Sequence, residues 1–353
     1  MSYTETNPLA LDGIDFIEFA APDPDMLHRL FQAFGLSRTM RHKERNVDLY
    51  QQNDITFLVN REEASFAGSF KNAHGPCVSS MGWRVADGVK SHGIALQRGA
   101  KGSEGGDYAR LGEGKLPALV GIGDSLIYLV DDNKDPKRWE KWGFVALEKP
   151  DLVPNKGFTV VDHLTNNVYL GTMGATSEFY KKVFGFTEVK YFDIRGAQTG
   201  LTSFALRSAC GKFCIPINEA KEKKSQINEY LDQYKGPGVQ HIAFLSEDIL
   251  GSLDAMKGSG VQTLDMDDEY YEEVSKRLPQ ITEDWGRIKA HQVLADGDDQ
   301  GYLLQIFTKN VIGPIFFEII QRKNCLTFGD GNFGALFRSI EREQAKRGVF
   351  DQA

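Results

Sequence analysis

Four cysteines in a chain of 353 residues are too few for a disulfide framework, so buried apolar surface has to hold the fold. No apolar run approaches the roughly 20 residues of a membrane-spanning helix. The opening stretch MSYTETNPLALDG lacks the basic and apolar regions of a signal peptide, and a cytoplasmic location is the expectation. Basic residues are in deficit: 41 Lys and Arg against 49 Asp and Glu leave a net charge of −8. That balance argues against nucleic acid or an anionic membrane as partner. Low-complexity tracts are absent. Cys210 and Cys214, in C-x₃-C spacing on an alternating stretch, read as a buried thiol pair on one strand face, and Cys77 and Cys325 as core or near-core thiols.

What the chain does contain is a repeat, and the length suits two domains with separate cores. Residues 19–35 (FAAPDPDMLHRLFQAFG) align without gaps on 169–185 (YLGTMGATSEFYKKVFG), and the same register carried upstream sets His163 opposite Gly13. Residues 74–83 align on 235–244, placing His241 opposite Ser80, and 123–131 align on 313–321, placing Glu318 opposite Tyr128. The second copy thus carries His, His and Glu where the first carries Gly, Ser and Tyr.

Hydrophobic periodicity fills in the units. In the first half, strands are expected at 15–20, 47–51, 54–59, 78–85 and 126–130, with helices at 25–34 and 87–98. In the second half, strands are expected at 163–169, 187–193, 200–206, 212–218, 239–246, 303–307 and 315–320, with helices at 177–184 and 248–257. Gly35 and Gly185 stand where the helix ends are expected. The fold class is α+β: two domains, 1–150 and 151–353, each of paired βαβββ units closing a half-open barrel. The polar, Pro- and Gly-bearing stretch 133–160 reads as their connection. Residues 332–347 have no counterpart in the first half. Their stripe of Phe333, Leu336, Phe337 and Ile340 predicts an amphipathic helix, either a lid or a plain packing helix.

His163, His241 and Glu318 come from three separate strands with apolar neighbours, where a titratable side chain costs free energy unless paired or bound. In IFFEII an unpaired buried carboxylate would cost several kcal/mol. Taken singly, each has an ordinary structural reading, a satisfied core histidine or a solvent-facing glutamate. Together, at matching positions of one repeat, they form the two-His, one-carboxylate set that suits Fe(II), Mn(II) or Zn(II) with positions left open. The first half should be metal-free. His28, His42, His74, His92 and His291 show no such pattern.

Beyond this the residues resemble a known family. VDHLTNNVY (161–169), YFDIRGAQTGLTS (191–203), IPINE (215–219), GPGVQHIAF (236–244), LLQIFT (303–308), FFEIIQR (316–322) and FGDGNFGALFRSIE (328–341) resemble the 4-hydroxyphenylpyruvate dioxygenases. The likeness runs through nearly the whole chain. It implies two vicinal-oxygen-chelate domains with a C-terminal lid helix, and one Fe(II) per chain held by His163, His241 and Glu318. It implies conversion of 4-hydroxyphenylpyruvate and O₂ to homogentisate and CO₂, a step of tyrosine and phenylalanine catabolism, in a homo-oligomer (dimer or tetramer). It also carries a pocket across. Ser203, Asn218 and Gln226 match a polar network near the substrate. Gln240 and Gln305 match amides that hold it, and Phe307, Phe316, Phe328 and Phe333 match an aromatic wall shaped by Pro216, with Asn332 opening the lid helix. Gln240, Gln305 and Phe307 are the expected catalytic residues. From the residues alone, the two glutamines are buried amides wanting partners and Phe328 and Phe333 are core. Hydroxymandelate synthase, an extradiol-type dioxygenase and a metal-free binding protein are the competing readings. Phe307 favours ring attack over the first of these, and FGDGNFGALFRSIE is unaccounted for by the second.

Overall fold

The computed structural model describes residues 2–196 and 198–350. Two large curled sheets, one in each half of the chain, carry most of the strands. The second runs in the order Thr187–Arg195, Gly200–Arg207, Cys214–Ala220, Phe158–Val168, Gly238–Ser246, Phe316–Lys323, Tyr302–Phe307, Leu294–Gly297. Pairing is parallel between Phe158–Val168 and Cys214–Ala220 and between Gly238–Ser246 and Phe316–Lys323, and antiparallel between Phe158–Val168 and Gly238–Ser246. The first sheet repeats this plan: Ile14–Ala20 pairs parallel with Ile55–Asn60 and antiparallel with Cys77–Arg84, and Cys77–Arg84 pairs parallel with Leu126–Val130. The fold is therefore α+β, with the same strand plan repeated in the two halves of the chain.

Helix ends follow local chemistry. The side chain of Asp23 accepts from the N–H groups of Asp25 and Met26 to open Pro24–Ala33, and Pro occupies the first turn, where its missing N–H costs nothing. Gly185 closes Met173–Phe184 at φ 74, a left-handed geometry that favours glycine. That helix starts four residues before the periodicity suggests, because Met173 supplies a buried contact ahead of the regular stripe.

Three expectations need correction. Strand pairing sets Phe16 opposite Gly82 and His163 opposite Ala243, so the counterpart of His163 is Phe16 and not Gly13. An ungapped alignment cannot follow a strand-to-helix turn of different length. Residues 133–160 are no plain connection: Arg138–Lys141 is helical and Phe144–Asp151 pairs with Ser37–His42 at the edge of the first sheet. Cys210 lies in the turn before Cys214–Ala220 rather than in a strand, and both thiols are half-buried and free; Cys77 and Cys325 are buried.

Aromatic side chains join the two halves. Trp83, fully buried, meets Phe184 at 4.8 Å, Phe213 at 5.3 Å and Phe186 at 5.9 Å between ring centroids, all from the second half. Phe34 meets Phe317 at 4.9 Å and Phe244 at 5.7 Å. Trp83→Ala should therefore cost about 3–5 kcal/mol, read as a lower midpoint in denaturant with both halves destabilised together.

On the first sheet the face equivalent to the site is filled. Phe16 packs on Tyr108, Tyr128 and Trp142 at 5.7, 5.9 and 5.9 Å. Glu18 pairs in register with Ser80, as Thr165 does with His241. Its buried carboxylate accepts from Ser79 Oγ (2.8 Å), Ser80 Oγ (2.6 Å), Tyr108 OH (2.5 Å) and Asn60 Nδ2 (2.9 Å). Burial, then the neighbouring Asp107, pushes its pKa above the usual 4.5, against the pull of the Ser80, Tyr108 and Asn60 hydrogen bonds. The folded state therefore holds this proton more tightly than the unfolded chain. The associated stability is full below 4.5 and is lost as pH rises through the raised value. Glu18→Gln should flatten the fall in Tm above pH 4.5, seen in thermal melts across pH.

Candidate metal centre

Three adjacent strands bring His163, His241 and Glu318 together. Ala243, on the central strand, stands opposite His163 on one side and Glu318 on the other. His241 lies two residues before Ala243 and so on the same face. The small Ala243 side chain leaves room between its two neighbours. All three functional side chains are buried.

Their tips converge. His163 Nε2 lies 3.3 Å from His241 Nε2 and 3.1 Å from Glu318 Oε2, and His241 Nε2 lies 3.3 Å from the same oxygen. Cis ligands about 2.1 Å from an ion are separated by about 3 Å, so this near-equilateral triangle fits a divalent cation on its open side. Among the described residues, this is the group of His, Cys, Asp and Glu whose atoms are close enough to share an ion.

Both imidazoles are held from behind. The Nδ1 atom of His163 is 2.7 Å from Asp162 Oδ2, and Arg322 donates to both oxygens of Asp162 at 2.8 Å each. Arg322 also donates to the carbonyls of Thr327 (2.6 Å) and Cys325 (3.1 Å), tying the turn before Phe328 to the same support. His241 Nδ1 is 3.0 Å from Gln240 Oε1, which also accepts from Asn218 Nδ2 at 3.4 Å. With Nδ1–H donated in each case, both Nε2 lone pairs face inward. Phe316 stacks on the His241 ring at 4.7 Å and 19°.

The electrostatics follow from the geometry. Burial disfavours charge on His163, but Glu318 and Asp162 outweigh it and raise its pKa to about 9. Burial likewise opposes charge on Glu318, and His163 and His241 outweigh it, lowering the carboxyl to about 2. Burial holds His241 below its usual value, against the pull of Glu318.

The triad opens into a cavity of about 90 Å³. Of the residues expected around the substrate, Ser203, Pro216, Asn218, Gln226, Gln240, Phe307, Phe316, Phe328 and Phe333 line it. Ser203 and Asn218 are cross-strand partners, and Pro216 shares Asn218's face. The ladder to Phe158–Val168 is interrupted between Cys214 and Ile217, where Pro216 has no N–H to give. Gln226 opens the helix Gln226–Tyr234, capped by Ser225. The helix Phe333–Lys346 lays Phe333, Leu336, Phe337 and Ile340 on the cavity, so it covers the site.

Two expected residues do not reach the cavity wall. Gln305 is buried under the Gly329 turn with neither amide atom hydrogen-bonded. Asn332 accepts from Tyr270 OH at 2.6 Å through Oδ1, and its Nδ2 has no partner. Sequence reading missed Thr165, whose Oγ1 is 3.1 Å from His241 Nε2, and the Asp162–Arg322 pair. A signal existed for both members of that pair: Asp162 precedes His163, and Arg322 lies in even spacing from Glu318. Phe192, Ile194 and Leu201 also line the cavity, but their alternating pattern is that of any core strand.

Two family models match the chain: hydroxyphenylpyruvate dioxygenase, N-terminal, over residues 5–143, and the Glyoxalase/Bleomycin resistance protein/Dioxygenase superfamily over residues 160–278. Protein MelA of Shewanella colwelliana is 56% identical over 347 residues, 98% of this chain and 99% of that protein. The 4-hydroxyphenylpyruvate dioxygenases of Legionella pneumophila subsp. pneumophila and Pseudomonas aeruginosa are each 42% identical over 349 residues, covering 98% and 97% of both chains respectively. Among solved structures, a xylose isomerase-like TIM barrel/4-hydroxyphenylpyruvate dioxygenase fusion protein superposes with TM-score 0.79 at 27% identity, over 94% of this chain and 53% of that one. A triple-substitution variant of 4-hydroxymandelate synthase from Streptomyces coelicolor superposes with TM-score 0.81 at 24% identity, over 95% of this chain and 99% of that one, a likeness of fold. With relatives this similar along nearly its entire length, the chain belongs to the 4-hydroxyphenylpyruvate dioxygenase family.

Proposed function

We propose that this chain is an Fe(II)-dependent 4-hydroxyphenylpyruvate dioxygenase, converting 4-hydroxyphenylpyruvate and O₂ to homogentisate and CO₂. The observation that carries the reading is the buried triangle of His163, His241 and Glu318 at the floor of an aromatic cavity, in a chain 42% identical to dioxygenases of that name. His163, His241 and Glu318 would hold the iron. When bound, Fe(II) supplies adjacent open positions for the 2-oxo acid and for O₂.

The chain's own residues do the rest. Asp162 and Gln240 keep the histidine Nδ1 protons and so fix the Nε2 atoms as ligands. Because Glu318 and Asp162 favour a second proton on His163, at Nε2 beside Glu318, a cation bound there displaces that proton while Nδ1–H stays on Asp162, and binding strengthens as pH rises. Gln240, with Oε1 engaged by His241 and Asn218, keeps its NH₂ group to donate to substrate. Ser203, Asn218 and Gln226 add polar contacts along one wall. Phe307, Phe316, Phe328 and Phe333 exclude water and confine the ring, which suppresses side reactions. Phe307 stands opposite Glu318 in register, where a ring limits how the substrate's phenol can lie. That position favours ring attack over hydroxylation of the side chain.

The test is anaerobic loading with Fe(II), addition of 4-hydroxyphenylpyruvate and O₂, and simultaneous measurement of oxygen uptake, CO₂ and product. Homogentisate with equimolar CO₂ is the expected result. Hydroxymandelate as product would convict the side-chain reading, and oxygen uptake with catechols but without CO₂ would convict the extradiol one.

A further inference from the structure

A second chamber of about 390 Å³ adjoins the aromatic cavity. Gln226, Gln240, Phe316 and Ile340 belong to the walls of both, so these four side chains form the partition. The chamber's remaining wall is different in kind. It is made by the outer face of the helix Gln226–Tyr234, the turn between Tyr302–Phe307 and Phe316–Lys323, and the end of the C-terminal helix.

Two ion pairs span it. Arg347, just past the C-terminal helix, pairs with Glu229 on the helix Gln226–Tyr234, and Lys309, on the turn, reaches Glu343 at 3.6 Å. Gln344 reinforces the first clasp, donating to Glu229 Oε2 at 3.0 Å. Both cations remain partly in water, Arg347 51% and Lys309 37% exposed. Neither pair is locked by burial, so each contributes little to stability and can exchange partners at small cost. Exchange with a carboxylate arriving from solvent leaves the number of ion pairs unchanged, while removing one tie from the end of the helix that covers the site.

We propose that this chamber is the admission vestibule for the anionic 2-oxo acid, with Lys309 and Arg347 as its receiving cations. The carboxylate displaces Glu343 or Glu229 from its cation. The acid then passes the Gln226–Gln240 partition, where amide donors take over from charged ones, and reaches the aromatic cavity. This deepens the reading of that cavity as the substrate site and rests on it. Cations at a mouth act on encounter and not on the chemical step, so their signature is in kcat/KM and its response to salt.

The experiment uses the iron-loaded full chain and 4-hydroxyphenylpyruvate, with kcat and kcat/KM measured across ionic strength. The double variant Lys309→Met/Arg347→Met should lower kcat/KM roughly tenfold, hold kcat within about twofold and flatten the salt dependence. Lys309→Met alone, breaking the looser pair, should show the same trend at about threefold. Lys257→Met, which removes a cation paired with Asp254 away from the chamber, should change neither. Iron content and Tm measured alongside confirm that each variant is folded. Unaltered kcat/KM and salt slope in the double variant, or a loss confined to kcat, would overturn the vestibule while leaving the dioxygenase reading intact. A wild-type chain that makes no homogentisate would remove both.

Discussion

His241→Ala is expected to abolish stoichiometric iron binding and lower homogentisate formation by more than about a hundredfold, beyond the 10–100-fold typical of losing a supporting group. The imidazole is one corner of a triangle whose sides are 3.1 to 3.3 Å, and among the described residues no further His, Cys, Asp or Glu joins that group. The fold should survive. Gln240 keeps Asn218 as a partner, and His163 keeps both Asp162 and Glu318. Iron titration, product assay and thermal melts on one preparation separate the outcomes. A variant that still binds one iron per chain and turns over at the wild-type rate refutes the ligand set.

Arg322→Met is the second large effect, and it acts without touching the triad's ligand atoms. Arg322 is the bidentate partner of Asp162, and both side chains are mostly buried, at 12% and 13% exposure. Removing the cation leaves a carboxylate in poor solvent, at about 3 kcal/mol. It also releases the carbonyls of Cys325 and Thr327 that anchor the turn before Phe328. Iron affinity should fall 10–100-fold, because His163 loses a firmly oriented acceptor.

The pH dependence has a definite sign. Burial acts to raise the Asp162 pKa, but Arg322 and then His163 outweigh it and hold the group below its usual 3.8. Stability from this pairing is therefore present above 3.8 and is lost as pH falls through the depressed value. The gap in Tm between wild type and Arg322→Met should be full at neutral pH and shrink on acidification below 3.8. A gap that widened in acid, or an iron affinity unchanged by the substitution, would contradict this role.

The amino-acid sequence by itself determined most core strands of the repeat and the helices that follow them, but not the helices Phe66–His74, Gln226–Tyr234 and Asp268–Arg277, and it singled out which three residues could hold a metal. Local pattern suffices for these: period-two and period-3.6 burial mark the elements, and a glutamate inside IFFEII or a histidine inside VQHIAF is costly without a partner. Only the tertiary structure decided what depends on pairing between distant segments. Gly13 yielded to Phe16 as the counterpart of His163 because strand register, set by turn length, is invisible to an ungapped alignment. Phe144–Asp151 became a strand only because Ser37–His42 offered it an edge. Gln305 and Asn332 match the family motif, yet neither lines the cavity: the Gly329 turn packs on the Gln305 amide, and Tyr270 OH donates to Asn332. The Asp162–Arg322 support and the Arg347–Glu229 clasp arise from contacts across more than a hundred residues of chain, which no local periodicity encodes.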